Sequence, residues 1–178
     1  MIIWIDGSNG VGKSCVAEEL AKVFKNENAE YIESDLYWMK WMGENPVKTL
    51  AGMFPYHNKY FLKEFRNELE VQIHLEKMLI VSMSLVDKLC KAELLDYFEA
   101  RQIPMMHVIL EASKDIIKLR IKNDDIRNQE VQRQQMEKVG WQVEYLNKNY
   151  LEAIRVSTEN KNIEEIVDEI KNSIEKMS

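Results

Sequence analysis

The sequence predicts a three-layer α/β fold, with a five-stranded parallel sheet, helices on both faces and a polar lid. Short apolar segments alternate along the chain with longer segments whose apolar residues recur at helical spacing. The chain has 178 residues, of which 46% are hydrophobic, and this suits one domain with one core. Three prolines and six glycines are too few for a disordered linker, so we treat residues 1–178 as a single domain.

The predicted strands are short and apolar, and the first is rich in β-branched residues, as expected of a strand buried on both faces. Because helices separate the strands, we expect the strands to run parallel and the ligand site to lie at their carboxyl ends. Strands are predicted at residues 1–6, 30–34, 78–83, 105–110 and 153–156.

Helices are predicted where apolar residues recur every three or four positions. One begins near residue 13, and another follows Ser113, which is a suitable N-cap. Two more cover residues 61–77 and 88–101, and a strongly amphipathic helix that includes Met177 ends the chain.

Two segments interrupt this alternation. Residues 36–66 are a predicted insert over one sheet edge, on the acceptor side, and glycines and prolines break its first part into short helices and loops. Residues 120–135 are a predicted lid, which is strongly polar from residue 122 onwards. Since such a segment buries little, we expect a mobile flap or a solvated helical hairpin.

The eight residues after the first strand match the pattern G-x-x-x-x-G-K-[ST]. Because a strand precedes the match and a helix follows it, we predict a phosphate-binding loop and a bound nucleoside triphosphate. Backbone N–H groups and the helix N-terminus would hold the phosphates, Lys13 would add positive charge, and the Ser14 hydroxyl would bind Mg²⁺. The loop consists of Gly7, Ser8, Asn9, Gly10, Val11, Gly12, Lys13 and Ser14.

Missing motifs narrow the class of nucleotide-binding protein. The chain has no N-K-x-D pattern for guanine and no D-x-x-G switch, and its third strand does not end in an acidic residue. Another carboxylate must then help to hold the metal ion, and Asp6 and Asp35 are the candidates. Asp35 is also the candidate general base for an acceptor hydroxyl. The alternative for Asp35 is a helix cap, and for Asp6 it is a structural cap.

The lid and the insert supply further candidates. Arg120 and Arg127, and less clearly Arg133, could stabilise the charge of a transferring phosphoryl group when the lid closes, the alternative being a solvated charged face. Trp38 and Trp41 follow Asp35 and could flank an acceptor, the alternative being internal packing of the insert.

Composition excludes several classes of partner. A net charge of −6 and a pI near 5.3 disfavour nucleic acid, because phosphate binding needs clustered Lys and Arg. The apolar start is too short for a signal peptide or a membrane span. Two cysteines give neither a metal site nor a disulfide framework, so we expect a cytoplasmic protein. The sequence does not indicate an oligomeric state.

The chain resembles the P-loop small-molecule and nucleotide kinases, and within them the bacterial tunicamycin-resistance protein family. The start Met1-Ile2-Ile3-Trp4-Ile5-x-Gly7 is similar, as are Leu79-Ile80-Val81-x-Met83, Ala112-Ser113-Lys114 to Leu119-Arg120, and Thr158-x-Asn160. Residues 36–66 match poorly. The resemblance implies ATP and Mg²⁺ at residues 7–14, lid roles for Arg120 and Arg127, and an adenine-binding loop containing Ser157, Thr158 and Asn160. Cys15 holds the position at which related kinases often have a Thr that touches the α-phosphate.

These observations together predict an ATP-dependent phosphotransferase that acts on a hydroxyl of a small molecule. The family resemblance adds the nucleoside antibiotic tunicamycin as a candidate acceptor. Two alternatives stay open: a nucleotide-dependent resistance protein that sequesters its ligand without phosphorylating it, and a metabolic kinase for a nucleoside or a sugar acid.

Overall fold

The computed structural model describes residues 1–176. Five strands form one sheet in the order β2-β3-β1-β4-β5, and every paired strand is parallel to its neighbour. The predicted five-stranded parallel sheet is therefore confirmed. The strands are β1 (Ile2–Asp6), β2 (Ala29–Glu33), β3 (Met78–Ser82), β4 (Met105–Glu111) and β5 (Ile154–Ser157).

Helices connect the strands as the alternation predicts. A π-helical segment (Lys91–Leu95) joins α5 to α6, and 3₁₀ turns cover Lys25–Glu27 and Pro55–His57. Within residues 1–176, no helix has both the length and the apolar character that a membrane span requires. The helices are α1 (Lys13–Val23), α2 (Ser34–Glu44), α3 (Pro46–Thr49), α4 (Lys59–His74), α5 (Lys88–Cys90), α6 (Asp96–Glu99), α7 (Lys114–Lys122), α8 (Gln129–Asn149) and α9 (Ile163–Glu175).

The two faces of the sheet bury separate clusters, because successive side chains of a strand point to opposite faces. On one face Ile3 packs with Leu20 of α1 and Ile170 of α9. On the other face Trp4 packs with Phe65 of α4. Ile3, Trp4, Leu20 and Ile170 are fully buried. Burying one such side chain contributes about 1.5–3 kcal/mol to the free energy of unfolding. This packing fixes the carboxyl ends of β1, β2 and β3 beside one another.

Two elements differ from the prediction. Strand β2 ends at Glu33, so Asp35 lies in the first turn of α2 and not at a strand tip. A carboxylate is favourable there because it faces the positive end of the helix dipole. Helix α8 starts inside the predicted lid and continues well beyond it, and only a narrow stripe of it is buried. The predicted position of Met177 lies outside the described residues.

Candidate active site

A cleft of about 500 Å³ opens at the carboxyl ends of β1, β2 and β3. The phosphate loop (residues 7–14) follows β1, Asp35 follows β2, and Met83 follows β3. This is where the parallel topology predicts a ligand site. The insert and the α7–α8 hairpin complete the wall with Phe54, Tyr56, Arg120, Arg127, Gln135 and Lys138.

The phosphate loop is held in a conformation that requires glycine. Gly7 and Gly10 have φ angles of 144° and 75°. A Cβ at Gly10 would lie 2.4 Å from Cγ1 of Ile121, and one at Gly7 would lie 2.7 Å from Cγ1 of Val11. The loop is therefore packed against α7 as well as strained, and larger residues at these two positions would displace it.

Asp6, the last residue of β1, holds the start of the loop through hydrogen bonds of its side chain. Its Oδ1 accepts hydrogen bonds from the N–H of Gly7 at 2.6 Å and of Leu85 at 3.0 Å. Its Oδ2 lies 2.9 Å from Nε2 of His107. Asp6 is fully buried and does not line the cleft, so the structure gives it a positioning role and leaves Asp35 as the candidate near a metal ion.

Lys13 lies at the start of α1, inside the cleft. Its Nζ donates to the carbonyl of Ser8 at 3.0 Å. Burial lowers the pKa of the Lys13 amine, while the carboxylates of Asp35, Asp6 and Glu33 oppose this shift by favouring the charged form. The Lys13 amine thus lies near several carboxylates and donates to a carbonyl of its own loop. In this position it can bind phosphate oxygens.

Asp35 shares the cleft with Lys13. Asp35 is exposed to the cleft, and desolvation by the cleft walls raises the pKa of its carboxyl. Lys13 lowers this pKa, Glu33 raises it and Arg127 lowers it. The net effect is a carboxylate that binds a proton more readily than a free aspartate does. Such a group suits general-base chemistry on an acceptor hydroxyl.

Arg120 braces the loop in this conformation. Its guanidinium donates to the carbonyl of Val11 at 3.3 Å, and to the Oγ1 and carbonyl of Thr158 at 2.8 and 2.9 Å. Thr158 is buried, and its N–H donates to the carbonyl of Glu111 at 2.8 Å. Ser157 and Asn160 lie beside Thr158 in sequence but do not line the cleft. Of the three residues of the predicted adenine-binding loop, Thr158 is therefore the one that is connected to the cleft, through its hydrogen bonds with Arg120.

Arg127 lies over the cleft, in the turn between α7 and α8, and forms an ion pair with Asp124. The positive charge of Arg127 lowers the pKa of both the Lys13 amine and the Asp35 carboxyl. Arg133 instead pairs with Glu130 at 2.8 Å and Glu137 at 3.2 Å on the exposed side of α8. Arg133 thus belongs to a solvated face, whereas Arg127 faces the site.

The structure does not bring Trp38 and Trp41 to the cleft. Both are 7% exposed, and their rings stack on each other with centroids 5.5 Å apart. Each also makes an edge contact with Phe61, and Trp41 Nε1 donates to Glu64 at 2.8 Å. The physical reason is that the apolar face of α2 turns towards α4, so the tryptophans pack the insert and do not flank an acceptor.

Two other aromatic residues of the insert, Phe54 and Tyr56, do line the cleft. Phe54 and Tyr56 stack with ring centroids 5.5 Å apart, and Lys138 Nζ lies 3.6 Å from the centroid of Phe54. Burial lowers the pKa of the Lys138 amine, which forms no ion pair with any residue between 1 and 176. The Oε1 of Gln135, in the same wall, is buried and has no hydrogen-bond partner among these residues.

A sequence signal for Lys138 and Gln135 was available. Val139, Val143 and Leu146 recur at helical spacing after the polar segment and mark the helix that carries both residues. Phe54 and Tyr56 belong to the aromatic-rich segment that follows Asp35, but only the packing of the insert brings these two, and not Trp38 and Trp41, to the cleft.

The donor set in the cleft fits Mg²⁺. Ser14 and Cys15 are exposed at the start of α1 and line the cleft together with Glu33 and Asp35. No group of three His, Cys, Asp or Glu side chains that could hold a metal ion is present among residues 1–176. Oxygen donors without a protein cage suit Mg²⁺, because this ion keeps several waters and binds substrate phosphates. Ser14 and Asp35 would hold the ion, which would neutralise phosphate charge when bound.

No protein-family model and no curated protein sequence matches the chain. Solved structures do match over almost its whole length. The tunicamycin resistance protein of Deinococcus radiodurans has a TM-score of 0.68 and 19% identity, covering 97% of this chain and 94% of that one.

Two kinases are similar to a comparable degree. A shikimate kinase from Bacteroides thetaiotaomicron has a TM-score of 0.67 and 16% identity, covering 98% of both chains. A gluconokinase from Sinorhizobium meliloti 1021 has a TM-score of 0.64 and 16% identity, covering 98% of this chain and 91% of that one. The chain therefore has the fold of the P-loop small-molecule kinases, as the resemblance of its sequence predicts.

Proposed function

We propose that this protein is a cytoplasmic, ATP-dependent phosphotransferase that acts on a hydroxyl of a small molecule. The observation that carries the proposal is that Lys13 of the phosphate loop and Asp35, with its raised carboxyl pKa, line one cleft. The loop backbone and Lys13 would bind the ATP phosphates. Ser14 would bind Mg²⁺ directly, and Asp35 would hold it through a bound water, so that its carboxylate stays free to accept a proton. Adenine would lie near Arg120 and residues 157–160, and Cys15 near the α-phosphate.

In this proposal Asp35 accepts the proton of the acceptor hydroxyl as its oxygen attacks the γ-phosphorus of ATP. The bond from that phosphorus to the bridging oxygen breaks, and ADP leaves. Arg127 would approach the equatorial oxygens, whose charge needs compensation in the transition state. Its present ion pair with Asp124 must open for this movement.

Phe54, Tyr56, Gln135 and Lys138, which we call the acceptor wall, favour a particular kind of substrate. Phe54 and Tyr56 offer stacked ring faces, and the Oε1 of Gln135 requires a hydrogen-bond donor. Lys138 supplies a cation with no carboxylate partner among residues 1–176. These features support an acceptor that combines a flat or apolar part with a hydroxyl and an anionic group. Tunicamycin, nucleosides and sugar acids are the compounds to test against this description.

A second candidate function is nucleotide-dependent binding of a ligand without phosphoryl transfer. The observation that favours it is that Asp124 holds Arg127 and Thr158 holds Arg120, so neither arginine is free in this conformation. Similarity in fold to a tunicamycin resistance protein is compatible with either function.

The deciding experiment is mass spectrometry of the candidate acceptors after incubation with the protein, ATP and Mg²⁺. We expect one of them to gain a single phosphoryl group. Asp35→Asn should abolish the product while retaining ATP affinity. Asp115→Asn, in the first turn of α7, is the matched control and should retain full activity. Tight acceptor binding without any product, in both the parent protein and Asp35→Asn, would establish sequestration.

A further inference from the structure

One buried glutamine touches the phosphate loop from outside the site. Gln142 of α8 is fully buried, and its Oε1 accepts a hydrogen bond from the N–H of Asn9 at 2.9 Å. The two residues are 133 positions apart in sequence, so this contact depends entirely on the docking of α8. Glutamine is mostly an exposed residue in folded proteins, which makes a fully buried one informative.

The rest of the Gln142 amide is poorly satisfied. Its Nε2 is buried and makes no hydrogen bond with any described residue. A buried donor without a partner destabilises a fold, and an apolar side chain of similar length would avoid that cost. The only hydrogen bond that the Gln142 side chain makes among the described residues is therefore the one to the loop.

Gln142 also continues the face of α8 that lines the cleft. Val131, Gln135 and Lys138 line the cleft, and Gln142 follows Lys138 by four residues, one helical turn along the same face. The same helix thus forms the acceptor wall and contacts the phosphate loop.

The contact removes one N–H group from the set that could bind phosphate. Asn9 donates to Gln142, while the carbonyl of Val11 accepts from Arg120 and the N–H of Gly7 donates to Asp6. Three peptide groups of the loop are therefore held by side chains from outside it, those of Asp6, Gln142 and Arg120. Groups that are oriented before binding cost less to organise when the ligand arrives.

We propose that Gln142 is a positioning residue, which holds the Asn9 peptide and thereby sets the phosphate loop for nucleotide binding. The proposal rests on the proposed function, because it assigns Gln142 to the nucleotide half of that same site. It differs from the roles of Gln135 and Lys138, which concern the acceptor half.

The test is Gln142→Met, which keeps length and helix propensity but removes the oxygen that accepts from Asn9. Calorimetry should show MgATP binding weakened by about five- to tenfold, the effect of one lost hydrogen bond and a looser loop. The KM for the acceptor should change little. In ¹⁵N-correlated spectra the Asn9 amide resonance should shift, because its hydrogen bond is gone.

Two controls separate positioning from general destabilisation. Val139→Ala truncates a fully buried side chain on the same helix and leaves the hydrogen bond between Gln142 and Asn9 in place, so it should lower Tm but leave ATP affinity as it is. Gln135→Met, the same substitution in the acceptor wall, should raise the acceptor KM and leave ATP affinity unchanged. Gln142→Asn retains an amide that is too short to reach Asn9, and should weaken ATP binding as the Met variant does.

The outcomes are distinguishable from failure of the proposed function. If the parent protein binds no ATP, the proposed function fails, and with it this inference. If the parent protein binds ATP and both Gln142 variants bind it equally well, the inference alone is wrong. An equal loss of ATP affinity in Val139→Ala would also overturn it, since stability would then explain the effect.

Discussion

The guanidinium of Arg120 donates to both the side chain and the carbonyl of Thr158, which lies 38 residues further along the chain. It also donates to the carbonyl of Val11. A predicted lid arginine is thus, in this conformation, a brace between the loop and the segment after β5. A bracing role and a catalytic role of Arg120 predict different effects of its substitution.

If Arg120 is a brace, Arg120→Ala should lower both stability and ATP affinity. Losing a charged group that makes three hydrogen bonds should cost about 1.5–3 kcal/mol of the free energy of unfolding. Thr158→Val removes the hydroxyl that accepts from Arg120 and donates to the carbonyl of Glu111 at 3.1 Å, and should cost about 1–3 kcal/mol. Chemical denaturation measures both. A variant that keeps its stability and ATP affinity but loses kcat would return Arg120 to the role of a mobile catalytic arginine.

Lys13→Ala should abolish tight ATP binding and leave the fold intact. The amine is buried with a lowered pKa, so its removal takes away a charge that the fold does not favour, whereas the nucleotide loses its main counter-charge. Calorimetry with MgATP and thermal denaturation check the two parts. Lys22→Ala, an exposed substitution on the same helix, should alter neither. Unchanged ATP affinity in Lys13→Ala would contradict the phosphate-loop assignment.

Sequence reasoning worked where the signal is local. The five strands depend on short apolar patterns, and the structure has a strand in each predicted segment, with bounds that differ by one or a few residues. It worked less well where a side chain's role depends on which way a helix faces. Trp38 follows Asp35 by three residues, yet burial against Phe61 turns it away from the cleft.

Local patterns mark the aromatic insert and helix α8, but they do not predict which of their side chains reach the cleft or support the loop. Phe54, Lys138 and Gln142 come from elements that meet the cleft only after the insert and α8 have packed. Their positions follow from tertiary contacts over long sequence separations, which no local pattern encodes.

Arg127→Ala should lower kcat by about 100-fold with little change in ATP affinity, because its charge is needed most in the transition state. Arg133→Ala is the matched control from the same hairpin. Its guanidinium pairs with Glu130 and Glu137 on the exposed side of α8, so turnover should be unchanged. Steady-state kinetics on whichever acceptor is phosphorylated gives both values. Full turnover in Arg127→Ala would place this residue on the solvated face as well.

The raised pKa of the Asp35 carboxyl predicts that the stability of the fold depends on pH, and it also gives the direction of this dependence. A carboxyl whose pKa is higher in the folded state than in the unfolded state favours folding at low pH, and this contribution is lost as the pH rises through the folded-state pKa. Asp35→Asn should therefore raise Tm at pH 7, and the gain should shrink as the pH falls towards the pKa of a free aspartate. Scanning calorimetry over this range measures it. A variant that is less stable than the parent at pH 7 would mean that Asp35 is held mainly by its attraction to Lys13.

The last prediction separates the acceptor wall from the core of the insert. Lys138→Met removes the cation over the ring of Phe54 and should raise the KM for an anionic acceptor by about tenfold, with ATP affinity and Tm nearly unchanged. Lys148→Met, an exposed substitution on the same helix, should change none of these quantities. Trp38→Ala should instead destabilise the whole fold by about 3–5 kcal/mol, because it empties a packed position between Trp41 and Phe61. Kinetics and denaturation of the three variants decide between the sites. If Trp38→Ala weakens acceptor binding at unchanged stability while Lys138→Met has no effect, the acceptor lies against α2, and Phe54, Gln135 and Lys138 do not form its wall.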